Sequence, residues 1–139
     1  MGAPRVVIVG GGFAGLAVAR ELAGEPVEVT LIDRSNHHLF QPLLYQVATA
    51  GLSPGDIASP LRQLVGRAEN VRIHMGELER VDLARRQLTV NGAPLEWDRL
   101  VLATGVRHSY FGHPEWERFA PGLKTLDDAP EMRLRLFSA

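Results

Sequence analysis

The chain contains no cysteine, which removes structural disulfides, thiol redox chemistry and thiolate metal ligands together and fits a reducing compartment. It also lacks any excess of one charge. Fifteen basic and 16 acidic residues give a formal net charge of −1, and no run of like charges marks a nucleic-acid-binding tail, so no nucleic-acid partner is expected. Long apolar runs are missing as well. The stretch from Val6 to Ala19 is interrupted by Gly10, Gly11, Gly12 and Gly15 and is shorter than the roughly 20 residues a spanning helix needs. Arg5 before it gives only a superficial likeness to a secretory leader. An N-myristoylation signal at Gly2 is excluded by Val6, which stands where serine or threonine is required. Internal repeats and low-complexity segments are absent. What remains is ordinary globular composition over 139 residues, 45% apolar and 22% charged, enough for about one domain with a core.

Apolar runs and breakers set out an α/β pattern. Arg5-Val6-Val7-Ile8-Val9 is short, β-branched and continuously apolar, as a central parallel strand covered on both faces requires. A helical pattern follows from Phe13 to Ala23, is broken at Gly24-Glu25-Pro26, and gives way to a second strand over Val27–Ile32. Pro42, Pro54 and Pro60 cut the segment from Phe40 to Arg67 into two short helices around Gly51-Leu52-Ser53-Pro54, with Ser53 a candidate cap. Val71–Met75 reads as a third strand. Glu77 to Asp98 reads as a small antiparallel β insertion with a turn at Asn91-Gly92. Leu100-Val101-Leu102-Ala103 is a further buried strand, and Asp128-Ala129-Pro130-Glu131 opens a helix that runs through Met132 to Phe137. The expected architecture has three layers. Val6–Val9, Val29–Ile32, Val71–Met75 and Leu100–Ala103 share one mainly parallel sheet, with Val6–Val9 inside it.

The chemistry is carried by Gly10-Gly11-Gly12-Phe13-Ala14-Gly15, a G-x-G-x-x-G fingerprint placed where a strand hands over to a helix. Gly10 permits the tight turn, Gly12 allows backbone to approach a pyrophosphate, and Gly15 allows close packing of helix on strand. The helix N-terminus then presents free N–H groups and positive dipole to the phosphate charge. Tight turns alone explain many such glycines, so the neighbouring positions decide. Ala19 and Leu22 follow Gly15 at helical spacings, on the face that packs on the sheet. Asp33 ends the second strand 18 residues after Gly15, where a carboxylate can accept from a ribose 2′-hydroxyl and would repel the 2′-phosphate of NADP. The pattern is that of a Rossmann-like FAD/NAD(P)-binding fold. The fingerprint itself does not separate FAD from NAD.

Two further stretches carry a family resemblance. Leu100-Val101-Leu102-Ala103-Thr104-Gly105, preceded by Trp97-Asp98, resembles the apolar strand ending in Ala-Thr-Gly of flavoproteins with two dinucleotide-binding domains, in which the N-terminal fingerprint holds FAD. The sequence from Asn36 to Leu52 (NHHLFQPLLYQVATAGL), Tyr110-Phe111-Gly112-His113-Pro114-Glu115-Trp116-Glu117 and Pro121-Gly122-Leu123-Lys124-Thr125 resemble type II NADH dehydrogenases, the single-subunit NADH:quinone oxidoreductases of the pyridine nucleotide-disulfide oxidoreductase superfamily. The resemblance covers nearly the whole chain. It implies that Gly12, Phe13, Ala14, Asp33 and Arg34 contact the ADP half of FAD. By the same resemblance Thr49 and Thr104-Gly105 lie nearer the pyrophosphate and flavin, and Leu78 offers backbone to the adenine.

The same resemblance implies parts that lie after Ala139: a second glycine fingerprint for NADH, a late Gly-Asp motif for the FAD ribitol, and an amphipathic membrane-binding end. Residues 1–139 are thus read as the N-terminal part of a discontinuous FAD-binding domain, without the NADH-binding domain. By itself this segment is expected not to turn over NADH, to hold FAD weakly and to associate with itself. The full-length enzyme is expected on the cytoplasmic side, peripheral on the inner membrane face. In the family, hydride passes from NADH to flavin and electrons pass on to a quinone, so no catalytic acid or base is assigned in this segment. The competing readings are a sulfide:quinone reductase-like flavoprotein, disfavoured by the lack of cysteine, and a non-catalytic nucleotide-binding module. Disulfide reductases need a cysteine pair where this chain has Leu43-Leu44-Tyr45-Gln46.

Other residues have plainer readings. His37-His38 offers a polar contact to the cofactor and lacks the i, i+4 spacing and third ligand of a metal site. Tyr45 and Phe40 are read either as walls for the flavin or as core residues. Trp97, Trp116 and Phe119 are read as core or cover, and Asp127-Asp128 as a helix cap.

Overall fold

The computed structural model describes residues 2–138. The chain divides into two compact units, one formed by Met1–His38 with Pro60–Gly105, the other by Leu39–Ser59 with Val106–Ala139.

The first unit is built on four parallel strands. β1 (Arg5–Val9) is flanked by β2 (Glu28–Asp33) on one side and by β9 (Arg99–Leu102) on the other, and β2 continues to β5 (Val71–Met75). All four expected strands lie in this one sheet, with Val6–Val9 inside it. The last closes at Leu102, one residue early, although the Ala103 N–H still donates to the Val9 carbonyl at 2.8 Å.

The continuous apolar run of β1 follows from its two covered faces. Successive side chains alternate sides, so Val6 and Ile8 join Leu16, Ala19, Leu61 and Val65 in one core. Val7 and Val9 join Leu88 and Val90 in another. The first core lies under α1 (Phe13–Glu21), whose buried residues Gly15, Leu16 and Ala19 repeat at helical spacing. The second lies under a three-stranded antiparallel sheet of β6 (Leu78–Asp82), β7 (Gln87–Val90) and β8 (Ala93–Glu96). Helix, parallel sheet and antiparallel sheet are the three layers. Asn91 and Gly92 close the β7–β8 hairpin with φ of 49° and 75°, a left-handed pair suited to the twist of the strands.

One side chain that the sequence reading passed over ends α1. Asn70 donates from Nδ2 to the carbonyls of Leu22, Glu25 and Val27 and accepts the Gly24 N–H, satisfying the backbone of the turn between α1 and β2.

The proline-cut segment contains the two expected helices, α2 (Leu44–Ala48) and α3 (Pro54–Ile57), preceded by a single 3₁₀ turn over Gln41–Leu43. Ser53 caps α3 reciprocally with Asp56, whose carboxylate accepts both the Ser53 N–H and its hydroxyl at 2.7 Å. Three short elements were not expected: the paired strands β3 (His37–Leu39) and β4 (Ala58–Pro60), and a one-turn helix α4 (Leu61–Leu64). They are too short for hydrophobic period to reveal.

The second unit packs α2 against α5 (Asp128–Phe137) around Leu44, Val47, Ala48, Ile57 and Ala129. The aromatic residues of this unit lie at its surface, on the wall or cover side of the two readings the sequence left open. Trp116 and Phe119 are 47% and 73% exposed, and Phe40 and Tyr45 are 44% and 55% exposed, so none of the four fills the core. Trp97, in the first unit, packs against the second core as expected.

Asp127 is the cap position of α5 but makes no side-chain cap bond, whereas Asp128 gathers the preceding turn, accepting the N–H groups of Lys124 and Thr125 at 2.8 and 2.7 Å. Burial pushes the Asp128 carboxyl up, but these N–H donors outweigh it and hold the group below its ordinary value. A carboxyl depressed in the folded state adds stability above the unfolded value near pH 4, and that stability is lost as pH falls through the lower, folded value. Urea midpoints taken from pH 7 to pH 2 are therefore expected to fall less steeply below pH 4 in Asp128→Asn than in the wild type. Parallel curves would contradict this.

Candidate functional site

The site forms at the carboxyl ends of the parallel strands. From β1 the chain proceeds to β2 and β5 on one side, while β9 lies on the other, so the direction of the order reverses between β1 and β9. A crevice opens at such a reversal in open α/β sheets, and ligands bind there. The glycine loop leaves β1 at this point. The Gly10 N–H donates to the Ile32 carbonyl at 2.7 Å, and Gly10 adopts φ 107°. A Cβ on Gly10 would run into the Ala103 carbonyl, so the end of β9 and the start of the loop touch backbone to backbone.

Each fingerprint glycine meets a different environment. A Cβ on Gly15 would collide with the Gly10 carbonyl and lie 3.3 Å from Ile8 Cγ2, which fixes α1 tightly on β1. Gly11 is enclosed by Leu61, whose δ carbons would be 2.8 and 2.9 Å from an added Cβ. Gly12 is unlike both, because an added Cβ there would meet nothing within 4 Å. Gly12 is also the cap position of α1, with no side-chain cap bond and no acid in the first turn. The first N–H groups of a helix have no intrahelical acceptor, and the Cβ direction of Gly12 beside them is open. An anionic pyrophosphate fits that combination of donors, dipole and room.

Asp33 stands beside the loop and holds it. One carboxylate oxygen accepts the Gly11 N–H at 2.5 Å, and the other accepts the Ser35 N–H and hydroxyl, both at 2.8 Å. Each oxygen carries two lone pairs, so Oδ2 retains capacity for a hydroxyl donor. His38 completes the surround, its Nδ1 lying 3.0 Å from the Gly11 carbonyl and its ring edge-on to Phe13 with centroids 4.9 Å apart. Ser35 and Leu61 are supporting residues that the sequence reading did not assign, and His38, read there as a polar contact to the cofactor, contacts the loop backbone. The Asp-x-Ser spacing of a side-chain-bonded turn was a usable signal for Ser35.

Gly10, Gly12, Phe13, Ala14, Gly15 and Asp33 are thus brought together. Arg34 is exposed, with its guanidinium 4.0 Å from Glu77, and Leu78 opens β6 next to Glu77. Thr104 and Gly105 are exposed after β9, Gly105 with φ 71°. Thr49 belongs to the second unit, where its hydroxyl donates to the Tyr45 carbonyl at 2.9 Å. No helix among the described residues is long and apolar enough to cross a membrane.

The family of pyridine nucleotide-disulphide oxidoreductases matches residues 4–138. The chain belongs to that family. It is 46% identical over 142 residues to the type II NADH:quinone oxidoreductase NdhA of Mycobacterium tuberculosis, covering 99% of this chain and 30% of the relative. The chain therefore spans about a third of that relative's length. In fold it matches NDH2 from Plasmodium falciparum in complex with RYL-552, with a TM-score of 0.86 and 22% identity over 94% of this chain and 28% of that one. It also matches the sulfide:quinone oxidoreductase of Aquifex aeolicus, with a TM-score of 0.82 and 25% identity over 98% of this chain and 32% of that one. The mainly parallel Rossmann-like architecture expected from the sequence agrees with these structures.

Proposed function

We propose that this segment supplies the first part of a discontinuous FAD-binding domain in a flavin-dependent NADH:quinone oxidoreductase that works peripherally at the inner, cytoplasmic face of a membrane. The observation that carries the proposal is the open space at Gly12, facing the uncapped start of α1 at the reversal of strand order. The 46% identity to a type II NADH:quinone oxidoreductase supports the choice of reaction.

In this reading Gly10, Gly12, Phe13, Ala14 and Gly15 form the cradle for the ADP half. Asp33 accepts a ribose hydroxyl while holding the loop through Gly11. Arg34 and the backbone at Leu78 border the adenine, and Thr104 and Gly105 serve the pyrophosphate and flavin side; for Thr49, in the second unit, a role toward FAD rests on the family resemblance. Bound FAD supplies hydride acceptance from NADH and electron delivery to quinone. The chain's own residues bind and orient it, and NADH has its site outside this segment.

The likeness to a sulfide:quinone oxidoreductase favours a second reading, although no cysteine is available here for sulfide chemistry. Purified protein carrying this segment decides between them. NADH oxidation coupled to quinone reduction, with FAD released on heating, supports the proposal, and sulfide-dependent quinone reduction without NADH oxidation would overturn it.

A further inference from the structure

The Gly11 peptide groups are held from two sides. On one side the Asp33 carboxylate takes the Gly11 N–H at 2.5 Å, and on the other the His38 imidazole reaches the Gly11 carbonyl at 3.0 Å. A carbonyl oxygen only accepts, so the bond requires a proton on His38 Nδ1. The carbonyl of Gly11 and the N–H of Gly12 belong to one planar trans peptide and point in opposite directions. Whatever fixes the carbonyl toward His38 therefore fixes the Gly12 N–H away from it. Gly12 is the loop residue whose surroundings are open.

Resting on the FAD reading above, we infer that His38 is a positioning residue for the cofactor loop: its Nδ1–H bond to the Gly11 carbonyl sets the plane of the Gly11–Gly12 peptide and so aims the Gly12 N–H at the pyrophosphate.

The need for such a group follows from the sequence of the loop. Three consecutive glycines lack the Cβ atoms that restrict backbone rotation, and each loses more conformational freedom on ordering than any other residue would. Asp33 fixes the Gly10–Gly11 peptide, because the Gly11 N–H belongs to it. The next peptide has no such anchor from Asp33, and His38 supplies one. The imidazole is itself steadied. His38 sits in β3 and is half-buried, and Phe13, the first residue of α1, meets its ring at an interplanar angle of 89°. The contact joins the loop's carbonyl anchor to the first turn of the helix whose N-terminus faces the anion.

The test uses protein carrying this segment as wild type, His38→Ala and His38→Gln, the glutamine retaining a side-chain N–H donor. FAD, ADP and FMN are titrated into each apoprotein, and ring nitrogen NMR reads the His38 tautomer. His38→Ala is expected to bind both FAD and ADP about tenfold more weakly, the scale of one hydrogen bond. FMN binding is expected not to move, and His38→Gln should recover part of the loss. The wild-type ring should carry a proton on Nδ1. Wild-type affinity for ADP in a folded His38→Ala protein, or a wild-type ring protonated only on Nε2, would overturn the inference while leaving the FAD reading standing. A wild-type protein that binds neither FAD nor ADP overturns both. Should His38→Ala fail to fold, the tautomer and the His38→Gln titration decide.

Discussion

A Gly12→Val protein is expected to fold and to lose its flavin. Two facts separate these outcomes. An added Cβ at Gly12 meets no protein atom within 4 Å, and the backbone there has φ of −73° and ψ of −163°, which β-branched residues adopt without strain. The fold thus has no reason to object. The ligand does, because the valine occupies the space through which a pyrophosphate approaches the loop N–H groups. Hydrogen bonds to charged groups contribute about 1.5–3 kcal/mol each, so losing one or two lowers affinity by roughly a hundredfold. Purified Gly12→Val should show wild-type circular dichroism with little yellow absorbance. Undiminished flavin absorbance would contradict the site.

Gly15→Val is expected to do the opposite first and lose the fold. Its Cβ would enter the Gly10 carbonyl and press on Ile8, which is fully buried in the central strand. Neither neighbour can yield cheaply, since Gly10 is itself wedged against the Ala103 carbonyl. Overpacking of this kind costs about 3 kcal/mol or more, a large share of the stability of a small domain. Thermal melts should show a strongly lowered midpoint or no cooperative transition, with flavin lost as a consequence. A Gly15→Val protein melting with the wild type would show that helix and strand are not in close contact there. The pair of substitutions tests the two separate jobs that the motif gives Gly12 and Gly15.

Much of this was legible in the chain because burial on both faces leaves a local trace. β1, β2, β5 and β9 are short apolar or β-branched runs, and their placement in one sheet followed from those runs and the crossover through α1. Asn91-Gly92 was legible for a different reason, since few residue pairs accept two positive φ values. β3, β4 and α4 were not, because three or four residues show no period. The sequence left Phe40, Tyr45, Trp116 and Phe119 open between core and surface, as an aromatic side chain carries no signal of how much surface its neighbours leave for it, and the structure places all four at the surface. In the site, G-x-G-x-x-G and Asp33 were evident from spacing. The bond from Gly11 to Asp33 and the approach of His38 to the Gly11 carbonyl depend on how β2 and β3 fold back on the loop, and spacing does not report that.

In the proposed site the glycine loop takes the ADP half of FAD. Competition measures it most directly: FAD is bound to the apoprotein and then displaced by ADP or by FMN at equal concentrations, with flavin fluorescence as the signal. ADP is expected to displace FAD and FMN to do so poorly, because in the proposed site Gly10–Gly15 and Asp33 contact the adenosine and pyrophosphate. Displacement by FMN as effective as that by ADP, or no FAD binding at all, would contradict it.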